Sequence, residues 1–311
     1  MKIVLLDADT LGRDTDVGIF REFGDFTSYE TTDANQTLGR VKDADIVITN
    51  KVKITREIMQ NSKIKLVAVT ATGTNNIDLV AAKELGVCVK NVAGYSTNSV
   101  AQQCFANILS ILNHIAYYND YCVSTQGWAS SPVFVHLQKP IHEIAGKKFC
   151  VVGLGDIGKA VAKIATAFNC DVCYYSTSGK NTNSEYKRVD FDEVLNCDII
   201  SIHAPLNENT KGLFDAKAIS RLKTGAILSN CGRGGIVDEE AIAVEIDRRE
   251  IFFASDVLET EPMRKDHPFL KVIHKERLSL SPHVAWASKE AIARLMELTF
   301  GNIKSFLKEN K

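Results

Sequence analysis

One glycine-rich stretch constrains the fold of this chain more than any other feature. A short apolar run from Lys147 to Val152 is followed by Gly-Leu-Gly-Asp-Ile-Gly and then by a segment with helical apolar periodicity. In a strand–turn–helix unit, Gly153 suits the tight turn, Gly155 lets the backbone approach a pyrophosphate, and Gly158 lets the helix pack closely on the strand. The free N–H groups and the positive end of the helix dipole then face the phosphates. The stretch predicts a dinucleotide-binding turn; a βα turn that binds no phosphate is the simpler alternative.

Length and charge restrict the class of protein. The 311 residues predict about two domains. The formal net charge of -1 gives no electrostatic basis for binding nucleic acid or an anionic membrane. The first apolar run is too short for a signal peptide and meets Asp7 and Asp9. The segment Asn91–Asn119 lacks charged residues, but its Asn, Gln and His side chains are too polar for a membrane span. We therefore expect a cytoplasmic protein with no nucleic-acid or membrane partner.

Short β-branched runs alternate with helical or turn-rich segments along the chain. This alternation predicts two doubly wound, parallel α/β units, the second opening at the glycine-rich turn. A charge-free helix, starting at Ser96 or Asn98 and ending near Tyr118, requires burial on most faces, as an interdomain spine, a subunit interface or both. The segment 121–145 has no clear period and predicts an arm or extended loop. Besides the run before the glycine turn, the predicted strands are 2–7, 45–49, 64–69, 87–91, 171–175, 198–202, 226–229, 252–255 and 278–280, and the final helix is 288–310.

A loop rich in glycine and small hydroxyl residues, Ala71–Asp78, follows one of the predicted strands. Its backbone N–H groups suit the binding of a carboxylate. The same loop equally suits a helix start capped by Asn75 or Asn76. The residues of the loop leave both interpretations open.

The second strand after the glycine turn normally ends in Asp or Glu, which binds the adenosine ribose. This chain instead has a hydroxyl-rich loop containing Ser176, Thr177 and Ser178, with Lys180 close behind. These groups suit a 2′-phosphate, which a carboxylate would repel. The loop predicts that NADP is favoured over NAD. In the alternative, Ser176 binds the ribose hydroxyls and the protein accepts both cofactors.

Three polar side chains, Arg233, Glu261 and His283, follow later strands of the same unit. A guanidinium binds a carboxylate and polarises a ketone oxygen, and a histidine beside a carboxylate keeps the proton that a ketone-protonating acid must donate. Singly, each residue has a structural explanation, as loop anchor, solvated turn residue or core histidine. Their shared placement at the carboxyl ends of strands favours a joint site. His203, also at a strand end, is expected to line the cofactor cleft.

The eight cysteines mostly lie in apolar runs, where Cys behaves as a small buried hydrophobe. Cys170 and Cys173 form a C-x-x-C pair, but no second pair follows at zinc-binding spacing. We therefore predict core packing for the cysteines and no metal site.

The residues resemble a known family, the D-isomer-specific 2-hydroxyacid dehydrogenases. Five blocks keep the order of the family and nearly its spacing, and together with 72–78 they extend the resemblance to almost the whole chain. The blocks are 153–158, 201–206 with Thr210, 230–238, 256–262 and 281–288.

This resemblance implies a Rossmann-type coenzyme domain inserted into a flavodoxin-like substrate domain. The expected substrate domain is 1–95 with 284–311, and the expected coenzyme domain is 96–283. The resemblance also implies a homodimer built largely from the coenzyme domain, which would bury the charge-free helix.

The family pattern further implies roles for the polar residues. Arg233 would bind the substrate carboxylate and carbonyl, and His283 would donate and accept the proton with Glu261 as its partner. The spacing from Arg233 to Asp256 is one residue shorter than usual, so Glu259 is a rival to Glu261. Asp256 matches a residue that holds the nicotinamide carboxamide. The predicted substrate-binding residues are Lys51, Gly73, Thr74 and Trp286, and the predicted cofactor-binding residues are Gly153, Gly155, Asp156, Ile157, Gly158, Ser176, Thr177, Ser178, Lys180, His203, Pro205, Thr210, Cys231, Gly232 and Asp256.

Within the family, the chain most resembles glyoxylate/hydroxypyruvate reductases, also called glycerate dehydrogenases. Glu261 stands where the formate dehydrogenase branch carries Gln, and Ser176 departs from the family pattern. We expect reduction of a small 2-keto acid such as hydroxypyruvate or glyoxylate. The alternatives are a dehydrogenase for larger 2-keto acids and a nucleotide-sensing binding protein on the same fold, as in the corepressors of the family.

Overall fold

In the computed structural model of the chain, residues 1–182 and 185–310 are described. The chain divides into two compact units, and the second interrupts the first. One unit consists of Met1–Ser96 together with Ala287–Lys311, and the other is Thr97–Trp286. Residues 183, 184 and 311, which the predicted domains include, lie outside the described residues.

The split unit is built on a parallel sheet with the strand order β2-β1-β3-β4-β5. This 2-1-3-4-5 order is that of flavodoxin-like folds, as the sequence predicted. The edge strand β2 was not predicted, because its half-exposed residues lack the apolar run of a buried strand. The elements are β1 (Lys2–Leu5), β2 (Asp25–Ser28), α1 (Ala34–Val41), β3 (Ile46–Thr49), α2 (Arg56–Gln60), β4 (Leu66–Val69), α3 (Leu79–Leu85), β5 (Cys88–Lys90) and, at the end of the chain, α10 (Lys289–Glu309).

The central strands of this sheet are apolar runs because both of their faces are covered. Every residue of β3 and β4 is buried, as expected for strands between two helical layers. Helix α10 packs on β4, and Ser288 caps it by accepting the Ala291 N–H.

The uninterrupted unit carries a second parallel sheet, in the order β12-β11-β10-β9-β6-β7-β8. Counted from β6, this is the 3-2-1-4-5-6 order of Rossmann folds with one strand added at the edge. The fold class predicted from the sequence is therefore confirmed. The elements are α4 (Thr97–Asn113), α5 (Ile115–Val123), β6 (Lys148–Val152), α6 (Asp156–Ala167), β7 (Asp171–Tyr175), β8 (Lys187–Arg188), α7 (Phe191–Leu195), β9 (Ile199–Ile202), α8 (Ala216–Ser220), β10 (Ile227–Asn230), α9 (Glu239–Arg248), β11 (Phe252–Ser255) and β12 (Leu278–Leu280).

The charge-free segment forms two helices, and the prediction of one helix to Tyr118 is wrong. His114 adopts a left-handed backbone conformation (φ 48°) between α4 and α5. Helix α4 is buried against α6 and the strands β10 to β12, whereas α5 has no buried residue. Apolar periodicity continues across His114, so the pattern alone does not reveal the break. No helix within the described residues is long and apolar enough to cross a membrane.

Candidate active site

The glycine turn joins β6 to α6 with the geometry that the sequence predicts. Gly153 has a positive φ of 93°, and a Cβ at Gly158 would lie 2.2 Å from the Gly153 carbonyl oxygen. Glycine is therefore required at both positions. A Cβ at Gly155 would meet no atom within 4 Å, so the backbone is open to an approaching group there. Asp156 and Ile157 form the first turn of α6, whose N–H groups have no partner inside the helix.

A cavity of about 740 Å³ lies beyond the end of β7. Ser176 is buried, and its Oγ accepts the Asn181 N–H at 3.3 Å. Lys180 is exposed and is not part of the cavity wall, whereas Arg188 lines it and donates to the Gly179 carbonyl at 3.1 Å. The cavity wall consists of residues 175–179, residues 188–191 and Asn209.

The wall of this cavity contains a cation, Arg188, and a carboxylate, Asp190. Within residues 1–182 and 185–310, Arg188 pairs with no carboxylate. Asp190 also lies in the wall, but its carboxylate caps α7 by accepting the Glu193 N–H at 2.8 Å. Sequence reasoning missed Arg188, because it lies on a two-residue strand twelve positions after Ser176.

The loop after β9 brings His203 and Pro205 to the same edge of the sheet. The Ser201 Oγ lies 2.7 Å from the His203 Nε2, and the buried Nδ1 of His203 has no hydrogen-bond partner among the described residues. Thr210 is fully buried. Its hydroxyl donates to the Pro205 carbonyl (2.6 Å) and accepts the Asn207 N–H (2.8 Å). Thr210 therefore shapes the loop that carries Pro205.

Arg233 stands in the loop after β10, and Asn230 fixes that loop. The Asn230 Oδ1 accepts the Gly232 N–H at 3.0 Å, while its Nδ2 donates to the Arg233 carbonyl at 2.9 Å. Cys231 is buried beside them. The half-buried guanidinium donates to the Gly232 carbonyl at 2.7 Å and, in the described part of the chain, pairs with no carboxylate. It is therefore able to bind an external carboxylate or carbonyl.

His283 and Glu261 are in direct contact. The His283 Nδ1 lies 2.7 Å from the Glu261 Oε2, with side chains 25% and 35% exposed. Glu261, and not its rival Glu259, is thus the acidic partner of His283. His283 has a left-handed backbone (φ 54°), a conformation that costs a non-glycine residue about 1–3 kcal/mol and is concentrated at functional sites. Its N–H donates to the carbonyls of Asp256 (2.8 Å) and Ser281 (3.0 Å), and these bonds hold the strained turn.

The Asp256 side chain also holds this turn, through hydrogen bonds. Its carboxylate accepts the Ser281 hydroxyl at 2.6 Å and the N–H groups of Val284 and Ala285 at 3.0 and 2.9 Å. Burial raises the pKa of the Asp256 carboxyl, and these bonds oppose the rise. The residue predicted to hold the nicotinamide carboxamide therefore also orients His283.

The glycine-rich loop of the split unit presents free backbone donors. The N–H groups of Gly73 and Thr74 have no acceptor among the described residues, and both residues are half-buried. Asp78 caps α3 by accepting the Ala81 N–H at 2.8 Å, so the alternative of an asparagine cap is wrong. Asn76 instead donates to carbonyls of a neighbouring loop.

That neighbouring loop carries Lys51, and Asp7 organises it. The Asp7 side chain is 4% exposed, and its carboxylate accepts the N–H groups of Asn50, Lys51 and Val52 at 2.7–3.2 Å. The Thr49 hydroxyl donates to the same carboxylate.

Asn76 binds this loop from its other side. Its Nδ2 donates to the carbonyls of Val52 (3.0 Å) and Asn50 (3.4 Å). The two predicted substrate-binding segments are thereby tied together. Sequence reasoning missed both anchors, because Asp7 lies 43 residues from Asn50 and Asn76 lies 24 residues from Val52.

The thiols of Cys150, Cys173 and Cys197 lie within 4.8 Å of one another, close enough to share one metal ion. All three are buried in the apolar core of the sheet, and within residues 1–182 and 185–310 no histidine or acidic side chain joins the group. Cys170, the other half of the C-x-x-C pair, donates to the Ile144 carbonyl instead. We interpret the cluster as core packing.

Comparison with known proteins decides the family. The family model "D-isomer specific 2-hydroxyacid dehydrogenase, NAD binding domain" matches residues 105–285. The chain is 35% identical to a hydroxypyruvate reductase of Blautia hydrogenotrophica, over 99% of this chain and 97% of that one. It is 33% identical to a glycerate dehydrogenase of Methylorubrum extorquens, over 98% and 96% of the two chains. The chain belongs to the D-isomer-specific 2-hydroxyacid dehydrogenase family.

The fold agrees with solved structures of related enzymes. A complex of an acyclic imino acid reductase with NADPH and D-Arg superimposes with a TM-score of 0.86 at 29% identity, covering 99% of this chain and 98% of that one.

The residues of the uninterrupted unit fit the nicotinamide cofactor of a 2-hydroxyacid dehydrogenase. The open backbone at Gly155 and the N-terminus of α6 suit its pyrophosphate. The cavity beyond β7 has a volume typical of small-molecule sites.

Proposed function

We propose that this dehydrogenase reduces a small 2-keto acid, such as hydroxypyruvate or glyoxylate, with a reduced nicotinamide cofactor. The observation that carries the proposal is the 2.7 Å contact of Glu261 with a strained His283 on the nucleotide-binding unit. The names of the two relatives, hydroxypyruvate reductase and glycerate dehydrogenase, support the substrate class.

In this proposal His283 is the proton donor. In the reacting enzyme His283 is the imidazolium, in which both ring nitrogens carry a hydrogen: the Nδ1 hydrogen is donated to the Glu261 carboxylate and the Nε2 hydrogen passes to the substrate oxygen, which leaves a neutral imidazole. Arg233 binds the substrate carboxylate and stabilises the keto oxygen as charge develops on it. When bound, the reduced nicotinamide supplies the hydride for the keto carbon.

We propose that the uninterrupted unit is the coenzyme domain and the split unit the substrate domain. Lys51 and the free N–H groups of Gly73 and Thr74 then bind the substrate carboxylate. Trp286, half-buried against the apolar cluster around α4, shapes the substrate pocket.

Replacing His283 by Ala tests the function. The variant should lose reduction of hydroxypyruvate while its dissociation constant for the nucleotide, measured by fluorescence titration, is unchanged. Activity that persists in H283A, with the protein folded, would refute the assignment of the proton donor. A wild-type protein that binds nucleotide but reduces neither acid would refute the substrate class and favour a larger keto acid or a nucleotide sensor.

We further propose that NADP is favoured over NAD. The carboxylate that would repel a 2′-phosphate is replaced by Ser176, Thr177 and Ser178, and the Arg188 guanidinium lines the adjoining cavity. NADPH in the related imino acid reductase complex is consistent with this preference. Dissociation constants for NADPH and NADH, measured side by side, test it; tighter binding of NADH would contradict it.

We also propose that the enzyme is a cytoplasmic homodimer formed through the coenzyme domain. A segment of that domain, here called the apolar arm (residues 115–141), exposes large apolar side chains, among them Phe134 (84% exposed) and Leu137 (80%). An exposed apolar surface that forms one large patch marks a protein interface, and we propose that a second copy of the chain covers these side chains, as the homodimer of the family implies. The cysteines that the structure describes are free thiols, consistent with a reducing compartment.

A further inference from the structure

A buried imidazole–carboxylate pair lies close to the proposed active site. The His267 Nε2 is 2.9 Å from the Glu239 Oε2, and the two side chains are only 3% and 12% exposed. The Phe269 N–H donates to the His267 Nδ1 at 3.3 Å. Because Nδ1 is an acceptor, the hydrogen is on Nε2 and is donated to Glu239.

The second oxygen of Glu239 holds a different part of the chain. Its Oε1 accepts the Glu259 N–H at 2.7 Å. Glu239 is the first residue of α9, but that helix is already capped by the Asp238 side chain, which accepts the Ala241 N–H. The N-terminus of α9 therefore does not need Glu239 as a cap. Burying a carboxylate and an imidazole costs free energy of folding unless both groups are hydrogen-bonded.

The segment fixed by Glu239 carries the acidic partner of His283. Two residues after Glu259, the Glu261 carboxylate accepts the Leu258 N–H at 3.0 Å through Oε1 and contacts His283 through Oε2. The segment also abuts the Arg233 loop, because a Cβ at Gly234 would lie 2.0 Å from the Leu258 carbonyl oxygen. One stretch of backbone thus sets the positions of both proposed catalytic loops.

We propose that Glu239 and His267 are positioning residues that hold the backbone of residues 257–261, here called the clamped segment. Through this segment they keep Glu261 in contact with His283 and fix the position of the Arg233 loop. The inference rests on the proposed reductase function and assigns these two residues a role in its chemical step. In this proposal they act through the backbone of residues 257–261 and not by contact with the substrate or the cofactor.

The test compares E239A, E239Q, H267A and the double variant E239A/H267A with the matched control E240Q, whose exposed side chain lies next to Glu239 on α9. Misplacing catalytic groups by about 1 Å costs on the order of 100-fold in rate. We expect kcat of E239A and H267A to fall at least tenfold, in line with a partial displacement, while KM and nucleotide affinity stay close to wild type.

E239Q should retain more activity than E239A, because its amide oxygen still accepts the Glu259 N–H. The double variant should be no slower than the slower single variant, because the pair acts as one unit.

Hydrogen exchange followed by mass spectrometry supplies a readout that does not depend on activity. The amides of residues 257–261 should exchange faster in E239A and H267A and at the wild-type rate in E240Q. Variants that only melt at a lower temperature, with wild-type kcat and wild-type exchange in this segment, would overturn the proposal. If the wild-type protein reduces no keto acid, the proposed function fails, while exchange in residues 257–261 still decides whether the clamp exists.

Discussion

Substitution of Gly234 tests how closely the Arg233 loop packs against residues 257–261, the two proposed catalytic loops. In the Gly234→Ala variant the new Cβ would lie 2.0 Å from the Leu258 carbonyl oxygen, 2.1 Å from its carbonyl carbon and 2.3 Å from the Glu259 nitrogen. Cβ contacts below 3.0 Å are essentially never found, so the backbone of one loop must move to lengthen the 2.0 Å contact to at least 3.0 Å. All three clashing atoms belong to backbone, and no side-chain rotation relieves them.

A displacement of this size predicts a loss of kcat on the order of 100-fold. Overpacking also lowers the free energy of unfolding by about 1–3 kcal/mol. The assay measures kcat and KM with hydroxypyruvate, together with thermal unfolding and nucleotide binding. Nucleotide affinity should fall less than kcat, because Gly234 is not part of the glycine turn, although Cys231 and Gly232 of the same loop are predicted cofactor contacts.

The matched control is Gly39→Ala in α1, where a Cβ would meet no atom within 4 Å. This variant should keep wild-type activity and gain up to about 1 kcal/mol of stability from the higher helix propensity of Ala. A folded Gly234→Ala enzyme with the kcat of the control would refute the close packing of the two loops and its importance for catalysis.

Three further predictions concern the Lys51 loop, the cofactor and the subunit interface. Replacing Asp7 by Asn removes the charge that holds the Lys51 loop, so the free energy of unfolding should fall by about 1.5–3 kcal/mol in chemical denaturation and the KM for the keto acid should rise more than kcat falls; an unchanged KM would show that the loop does not bind substrate. Ser176→Asp should shift the preference toward NADH in competitive binding, because its carboxylate repels a 2′-phosphate; a variant that still favours NADPH would contradict the assignment of the cavity beyond β7. The double substitution of Phe134 and Leu137 by Asp should convert a dimer into a monomer in light scattering, and a monomeric wild-type protein would refute the interface.

The features that the sequence predicted correctly depend on residues close together in the chain or on general rules of parallel sheets. The glycine turn is predictable because its requirements, a positive φ and two close backbone approaches, are met by glycines within six consecutive residues, 153–158. The convergence of Arg233 with the Glu261–His283 loops follows from a general property of parallel sheets, whose strand ends share one edge.

The features that the sequence did not reveal depend on contacts between distant residues. Asp7 holds a loop more than 40 positions away, and Glu239 lies 28 positions from His267. Asp7 follows a strand and Glu239 begins a helix, and neither position indicates in the sequence which distant residue the carboxylate binds. The left-handed conformation of His114 gives no signal in the sequence either, since histidine is also compatible with a continuous helix.

The central claim, hydride transfer to a 2-keto acid with protonation by His283, is tested most directly by isotope transfer. The enzyme is supplied with hydroxypyruvate and NADPH deuterated at the transferable position, and the product is analysed by NMR and chiral chromatography. The account predicts D-glycerate carrying deuterium on C2, the carbon next to the carboxylate, and no product from H283A. Product of the opposite configuration, or unlabelled product, would contradict it.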